Sequence, residues 1–346
     1  MNTVHVSAST KEYDVTIGRG LNVGAMLAGL HKPCKLMVVS DDTVFGLHGE
    51  DVIASLQAAG FETFTYVFPH GEPSKNISVA EQLMIRMTEL AITKTDLLVA
   101  LGGGVVGDLT GFAASVYLRG MDFIQIPTTL LAAVDSSVGG KTAVDLVNGK
   151  NMVGAFHQPV AVFCDVDRFA TLPKEIYSDG MAEAIKYGMI YDANLFDQIE
   201  AGTISDEDLV KRSVEIKAEV VALDEFDKGP RHILNFGHTL GHAIETLSKY
   251  SIGHGSGVAM GMAVLSAAIL SEEESNRLNK VLAKYDLPTV PSFDIHEMAA
   301  LAKTDKKSHG NLIRSVLPVR IGEVRLQDVT VEEWEEIVRK GIDKLK

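Results

Sequence analysis

The densest run of chemistry-bearing side chains is residues 231–254, which hold His232, His238, His242 and His254, four of the chain's 11 histidines. His238 and His242 are four apart. On a helix that spacing stacks two imidazoles on one face, within reach of a single ion. Glu245 falls on nearly the same face. His254 follows in Gly253-His254-Gly255, where the backbone can fold back on itself. The metalloprotease pattern needs Glu directly after the first His; Thr239 stands there, which argues against a peptidase. A second pair, Glu183 and Lys186, is three apart on one helix face. Spacing alone fits a solvated ion pair, but Met181, Ala182, Ala184 and Ile185 around it are apolar, so charges placed there need partners. If Glu183, His238 or His242, and His254 meet around one ion, two imidazoles and a carboxylate leave zinc an open position for a substrate hydroxyl or carbonyl.

A third motif is Gly102-Gly103-Gly104-Val105-Val106-Gly107-Asp108, after the apolar run Leu97–Leu101. Gly102-x-Gly104-x-x-Gly107 fits a dinucleotide fingerprint: strand, glycine turn, then a helix whose N-terminus can face a pyrophosphate. It departs from the usual pattern by following the third or fourth strand instead of the first, with no clear acidic residue about 20 positions on. Pro127-Thr128-Thr129 ends the next strand and sets hydroxyls where ligands bind. Gly139-Gly140-Lys141-Thr142 resembles a P-loop tail, but Asp135 occupies the place of the upstream glycine, which excludes an ATPase. Gly149-Lys150-Asn151 opens a second glycine-flanked lysine loop.

The elements that must position these groups follow from periodicity. Residues 1–30 read as strand and turn segments, Lys35–Ser40, Phe61–Phe68, Leu97–Leu101, Phe123–Ile126 and Val160–Phe163 as strands, and 43–59 and 77–91 as helices. Continuous apolar strands alternating with helices predict a Rossmann-like parallel sheet with helices on both faces. From about residue 176 the pattern is helical: 206–225, 254–270, 272–285 and 294–303, then a hairpin over 312–326 and a capping box at Thr330–Glu333 before a last helix. The expected domains are 1–175, nucleotide-binding α/β, and 176–346, mostly α-helical and metal- and substrate-binding. Asp305–Gly310, with Lys306 and Lys307, reads as a polar loop.

Bulk properties narrow the function classes. At 346 residues the chain can bury roughly 75% of its unfolded surface without staples. A net charge of −14 argues against a nucleic-acid surface. No apolar run is long enough to span a membrane, and the N-terminus lacks a secretory pattern. Cys34 and Cys164 read as small buried hydrophobes of a reducing, cytoplasmic compartment. Against that acidic background, Arg119, Lys141, Lys150, Lys186, Lys217, Arg231, Lys306 and Lys307 gather in or beside the motifs. A polyol dehydrogenase, which would couple such an ion to a nicotinamide, needs fewer cations. A phosphorylated acid needs them, since each charge-assisted bond contributes about 1.5–3 kcal/mol.

The motifs at 102–112, 127–143, 149–159, 180–186 and 235–245 together resemble the 3-dehydroquinate synthase family of sugar phosphate cyclases. The resemblance implies conversion of 3-deoxy-D-arabino-heptulosonate 7-phosphate to 3-dehydroquinate and phosphate, with NAD+ and zinc or cobalt, in a homodimer. It implies Glu183, His238 and His254 as metal ligands, with His242 beside them and bonded to substrate. NAD+ contacts would be Asp41, Glu72, Lys75, Gly103, Gly104, Val105, Asp108, Thr128, Thr129, Lys150, Phe169, Thr171 and Leu172. Asp135, Lys141, Lys186, His242 and Asp227 would be catalytic. Asn151, Lys217, Arg231, Asn235 and Lys306 or Lys307 would bind substrate, and Arg119 would reach the neighbouring subunit's phosphate site. At Asp227 the family usually has Glu, so reach is shorter there. Other cyclases, a polyol dehydrogenase and a non-catalytic NAD-sensing module are the competing readings.

Overall fold

The computed structural model describes residues 1–304 and 312–346. In chain order its elements are β1 (Asn2–Ser7), β2 (Glu12–Gly18), α1 (Val23–Leu30), β3 (Lys35–Asp41), α2 (Asp42–Val44), α3 (Glu50–Ala58), β4 (Glu62–Phe68), α4 (Ile77–Glu89), β5 (Leu97–Gly102), α5 (Gly104–Val116), β6 (Phe123–Pro127), β7 (Lys141–Leu146), β8 (Gly149–Phe156) and β9 (Ala161–Asp165). There follow α6 (Lys174–Ile190), α7 (Ala193–Ala201), α8 (Asp206–Leu223), α9 (His238–Leu247), α10 (His254–Ile269), α11 (Glu272–Lys284), α12 (Ile295–Thr304), β10 (Leu312–Arg320), β11 (Glu323–Thr330) and α13 (Val331–Leu345). They form two compact units, Met1–Leu172 with Val210–Phe226, and Pro173–Leu209 with Asp227–Lys346.

The first unit is built on a seven-stranded sheet in the order β1-β2-β9-β6-β5-β3-β4. All its pairings are parallel except β1 with β2. Alternation along each strand feeds two cores. Met37, Val39, Leu98, Ala100 and Phe123 point to the face covered by α4 and α5. Leu36, Val38, Leu97, Val99, Leu101 and Ile124 point to the face covered by α1 and α3. Both faces are therefore apolar, which is why these strands read as continuous hydrophobic runs. The chain leaves β3 for β4 on one side and returns to β5 on the other, so the C-terminal ends of β3 and β5 flank the point where strand order reverses.

Three sequence readings need correction. Residues 23–30, expected as strand or turn, form α1. Its glycines punctuate the sequence, but a Cβ on Gly24 would strike the Ser55 carbonyl, so glycine there marks close packing against α3 and not a turn. The strand before the glycine turn is the fifth, not the third or fourth. The two lysine loops are instead one antiparallel hairpin, β7 paired with β8. The expected loop with Lys306 and Lys307 lies outside the described residues.

The second unit packs α9, α10, α12, α13 and the β10–β11 hairpin around a core containing Leu240, Ile244, Val264, Met298, Trp334 and Val338. The capping box at Thr330 and Glu333 is formed.

Within the first unit, α5 approaches its neighbours most closely at Gly107 and Gly111, between core side chains such as Val106, Leu109 and Phe112. A Cβ on Gly111 would run into Thr142 of β7 and the Phe123 ring. Gly111→Ala should therefore destabilise by about 1–3 kcal/mol through overpacking, despite alanine's better helix propensity. The thermal midpoint should fall; an unchanged or raised midpoint would mean that the helix can move away from the sheet at little cost.

Candidate functional site

In the second unit, Glu183 projects from the middle of α6 and is fully buried. His238 and His254 are the first residues of α9 and α10, preceded by Gly237 and Gly253. The two helices cross on glycines: a Cβ on Gly241 would lie 3.0 Å from the backbone of Gly257, and one on Gly261 would overlap the Gly237 carbonyl. This backbone-to-backbone approach brings the two histidines together, with ring centroids 5.2 Å apart. Each Nε2 lies 3.4 Å from the Glu183 carboxylate. The three ligand atoms fall within 4.8 Å of one another.

The outer ring nitrogens are also engaged. His254 Nδ1 lies 2.9 Å from Glu245 Oε1, and His238 Nδ1 lies 3.2 Å from the Phe236 carbonyl. Those acceptors fix the tautomer with the proton on Nδ1, leaving both Nε2 lone pairs aimed at the Glu183 carboxylate, as in a carboxylate–histidine–metal arrangement. Three converging acceptors of this kind fit a divalent ion such as zinc. Without one, a proton takes that role. Burial alone would lower the His254 pKa, but hydrogen bonds to Glu183 and Glu245 outweigh it and carry it up to about 10. His238, more deeply enclosed, is pushed by burial well below 6.5 despite the pull of Glu183.

Lys186, one turn from Glu183 and only 1% exposed, is hydrogen-bonded to the same carboxylate. The pair is therefore buried, not a solvated surface pair. His242 is exposed, its ring 5.5 Å from that of His238 and 6.1 Å from that of His254. The i,i+4 histidines do not pair directly on one ion: His238 belongs to the Glu183 set, while His242 groups with Glu245 and His254. Beyond α8, Asp227 accepts from or contacts His232 through its carbonyl at 2.9 Å and its carboxylate at 3.6 Å. Asn235 donates to the His232 carbonyl, and Arg231 is 1% exposed in the same turn.

In the first unit, Asp41 ends β3 and caps α2, accepting from Val44 N–H at 2.8 Å. Gly103 caps α5 with no side chain, so the helix N-terminus at Gly104 and Val105 is left to backbone N–H groups. A Cβ on Gly103 would press on Thr129, and one on Gly107 would lie 2.6 Å from Gln125 Oε1. The third fingerprint glycine thus serves helix–strand packing, as a dinucleotide turn requires. Thr128 is buried and its N–H bonds the Gly102 carbonyl; the Thr129 hydroxyl caps the turn at Ala132. Lys75 donates to Asp108 at 2.5 Å and to Asn151 at 2.6 Å, and Lys150 lies 3.4 Å from Glu72. Burial would lower the Lys75 ammonium, but Asp108 beside it lifts it above the usual lysine range. Asn151, expected among substrate ligands, thus also accepts from Lys75, which is expected at the cofactor. The Thr171 hydroxyl lies 3.0 Å from His48, which follows Asp41 and α2; Phe169 is buried and Leu172 partly so.

Lys217, on the part of α8 that belongs to the first unit, donates to the carbonyl and carboxylate of Asp135 at 2.7 and 2.8 Å. Lys141 opens β7 directly after Gly139 and Gly140, both at positive φ. Arg119 is exposed and, with Leu118, holds left-handed φ values of 66° and 49°. Lys306 and Lys307 lie outside the described residues. Sequence reasoning gave no role to Glu245, although its helix face was noted, or to Asp179, which accepts from Ser256 N–H at the start of α10.

The fold is that of the sugar phosphate cyclases. Solved structures similar over 98% of this chain include 2-epi-5-epi-valiolone synthase from Streptomyces hygroscopicus with NAD+ and Zn2+ bound (27% identical, 99% of that chain, TM-score 0.89). Another is 2-deoxy-scyllo-inosose synthase complexed with carbaglucose-6-phosphate, NAD+ and Co2+, where 24% identity over 98% of this chain and 100% of that one, with TM-score 0.87, speaks for the fold alone. Family models for the 3-dehydroquinate synthase N-terminal and C-terminal regions match residues 65–179 and 180–308. The 3-dehydroquinate synthase of Picosynechococcus sp. is 42% identical over 94% of this chain and 95% of its own length. That of Thermodesulfovibrio yellowstonii is 40% identical over 98% and 100%. The chain belongs to the 3-dehydroquinate synthase family.

Two outcomes follow from the imidazole geometry. Glu245→Gln removes the charge that orients His254 and should weaken zinc binding about tenfold or more in chelator competition; unchanged affinity would make Glu245 merely structural. Because His254 of the metal-free chain holds a proton that zinc must displace, affinity should rise with pH, by about tenfold per unit from about pH 6 to about pH 8. A flat profile would mean that another group supplies the third donor.

Proposed function

We propose that the protein is a 3-dehydroquinate synthase, converting 3-deoxy-D-arabino-heptulosonate 7-phosphate to 3-dehydroquinate and phosphate. The observation that carries this is the convergence of Glu183, His238 and His254 in a chain that matches the family over nearly its whole length. When bound, zinc or cobalt supplies a Lewis acid for neighbouring hydroxyls and NAD+ a reversible hydride acceptor.

The protein's own groups supply charge and orientation. Glu183, His238 and His254 hold the ion, with Glu245 and the Phe236 carbonyl fixing the imidazoles. Lys186, buried against Glu183, puts a second positive charge beside the same carboxylate and binds substrate oxygen. The glycine turn at Gly103 and Gly104, with Val105, Asp108, Thr128 and Thr129, receives the NAD+ pyrophosphate at the α5 N-terminus. Asp41, Glu72, Lys75, Lys150, Phe169, Thr171 and Leu172 complete that site. Lys141 and Asn151 hold the substrate phosphate and offset the charge that builds on it as it leaves. Lys217 and Arg231 recognise the carboxylate, Asn235 and Lys306 or Lys307 further oxygens, and Asp135, Asp227 and His242 hold or move protons. The acidic net charge of −14 makes these cations local exceptions suited to a doubly anionic substrate. We propose also a homodimer in the cytoplasm, with Arg119 of one protomer reaching the phosphate site of its partner; its exposure in a strained turn supports this role. No helix of the described residues is long and apolar enough to cross a membrane.

The test is incubation of the heptulosonate phosphate, with sedoheptulose 7-phosphate in parallel, in the presence of NAD+ and zinc, followed for phosphate and NADH. Phosphate release without net NADH is expected. Net NADH would indicate a polyol dehydrogenase, and turnover only of sedoheptulose 7-phosphate another cyclase. Lys141→Ala should cost at least about 2 kcal/mol in kcat/KM; full activity in that variant would remove Lys141 from the phosphate site.

A further inference from the structure

Glu225 follows α8, is 4% exposed, and no step above uses it. Its carboxylate accepts from Thr10 N–H at 3.0 Å, from the Ser9 and Thr10 hydroxyls in the turn between β1 and β2, and from Gln158 Nε2 at 2.9 Å. A buried carboxylate with this many donors is ionised and directional. Its neighbour Phe226 packs edge-on to Phe156 at 5.3 Å, so two adjacent residues bind the end of α8 to the end of β8.

The contacts close a ring. Eight residues before Glu225 on α8 stands Lys217, which donates to Asp135. Asp135 leads through a tight turn to Lys141: Val138 N–H bonds the Asp135 carbonyl at 3.0 Å and Gly139 N–H bonds the Tyr13 hydroxyl at 3.1 Å. The turn ends at Gly140, where a Cβ would lie 2.6 Å from the Gln158 amide, and His157 N–H bonds the Gly140 carbonyl at 2.7 Å. Gln158 returns to Glu225. The segment from Asp135 to Lys141 is therefore held at one end by Lys217 and at the other by the His157 N–H and by the Gln158 amide packed against Gly140. Glu225, which anchors Gln158, ties the two ends together.

We infer that Glu225 is a positioning residue that sets the spacing of Lys141 and Lys217, and hence the enzyme's grip on its anionic substrate. This rests on the substrate assignment made above. Side chains on one network couple energetically, whereas independent structural losses add.

The experiment is a double-mutant cycle with Glu225→Gln and Gln158→Ala in the full-length enzyme. It reads KM and kcat for the heptulosonate phosphate, inhibition by inorganic phosphate, and zinc affinity. Each single change should raise KM and the phosphate inhibition constant about tenfold. Together they should do little more than either alone, with zinc affinity within about twofold of wild type. KM and phosphate inhibition unchanged, or losses that multiply, would overturn the inference. If Glu225→Gln fails to fold, Gln158→Ala with Glu225→Asp is the cycle read, under the same criteria. Wild-type enzyme that releases no phosphate from this substrate would count against the substrate assignment. Direct binding of inorganic phosphate, measured by titration calorimetry on the same variants, would still decide the role of Glu225, with the same tenfold weakening expected.

Discussion

The structure depends most on one costly choice: a carboxylate, Glu183, placed at zero exposure in a helical interior between two imidazoles and an ammonium. An isolated ionised carboxylate there would be prohibitive, and it is tolerated because every neighbouring group can offer positive charge. The geometry that makes this possible is backbone packing. Glycines at the crossing of α9 and α10 allow two helix starts to approach so closely that their first side chains share one acceptor. Glu245 and the Phe236 carbonyl then orient the rings so that both inward nitrogens are available to a metal.

The first unit solves a different problem with the same device. Its turn from β5 to α5 must leave backbone N–H groups uncovered, so side-chain caps are absent and glycines fill the approach. The turn occupies the fifth strand, yet it lies next to β3, where strand order reverses. Position in the sheet, not position in the sequence, is what a ligand at a switch point requires. Around it, lysines are held by acids in pairs, Lys75 with Asp108 and Lys217 with Asp135. Pre-formed pairs of this kind fix where a cation points before an anion arrives.

Much of this was legible from residue types. The apolar runs at 35–40 and 97–101 specified buried parallel strands because both faces are covered, and the capping box at Thr330 marked the last helix. The Glu183–His238–His254 set required the family resemblance, since spacing alone favoured the His238–His242 pair. Helical stacking does bring those two rings to 5.5 Å, but the glycine crossing offers His238 a better-placed carboxylate from α6. The β7–β8 hairpin was hidden because Gly149, Lys150 and Asn151 read as punctuation, while its alternation of Thr142 and Val144 inward is short. Helix α1 was hidden for the converse reason: its Gly24 looks like a breaker and is a packing contact. Glu225 carried no signal at all, because its partners lie 67 and 215 or more positions away.

The central claim is that Glu183, His238 and His254 form a single metal site. Zinc-edge anomalous diffraction from crystals of the full chain grown with zinc tests it most directly. The account predicts one strong peak at about 2.0–2.2 Å from a Glu183 oxygen and from Nε2 of both histidines. A peak held instead by His242, Glu245 and His254, or none near Glu183, would contradict it.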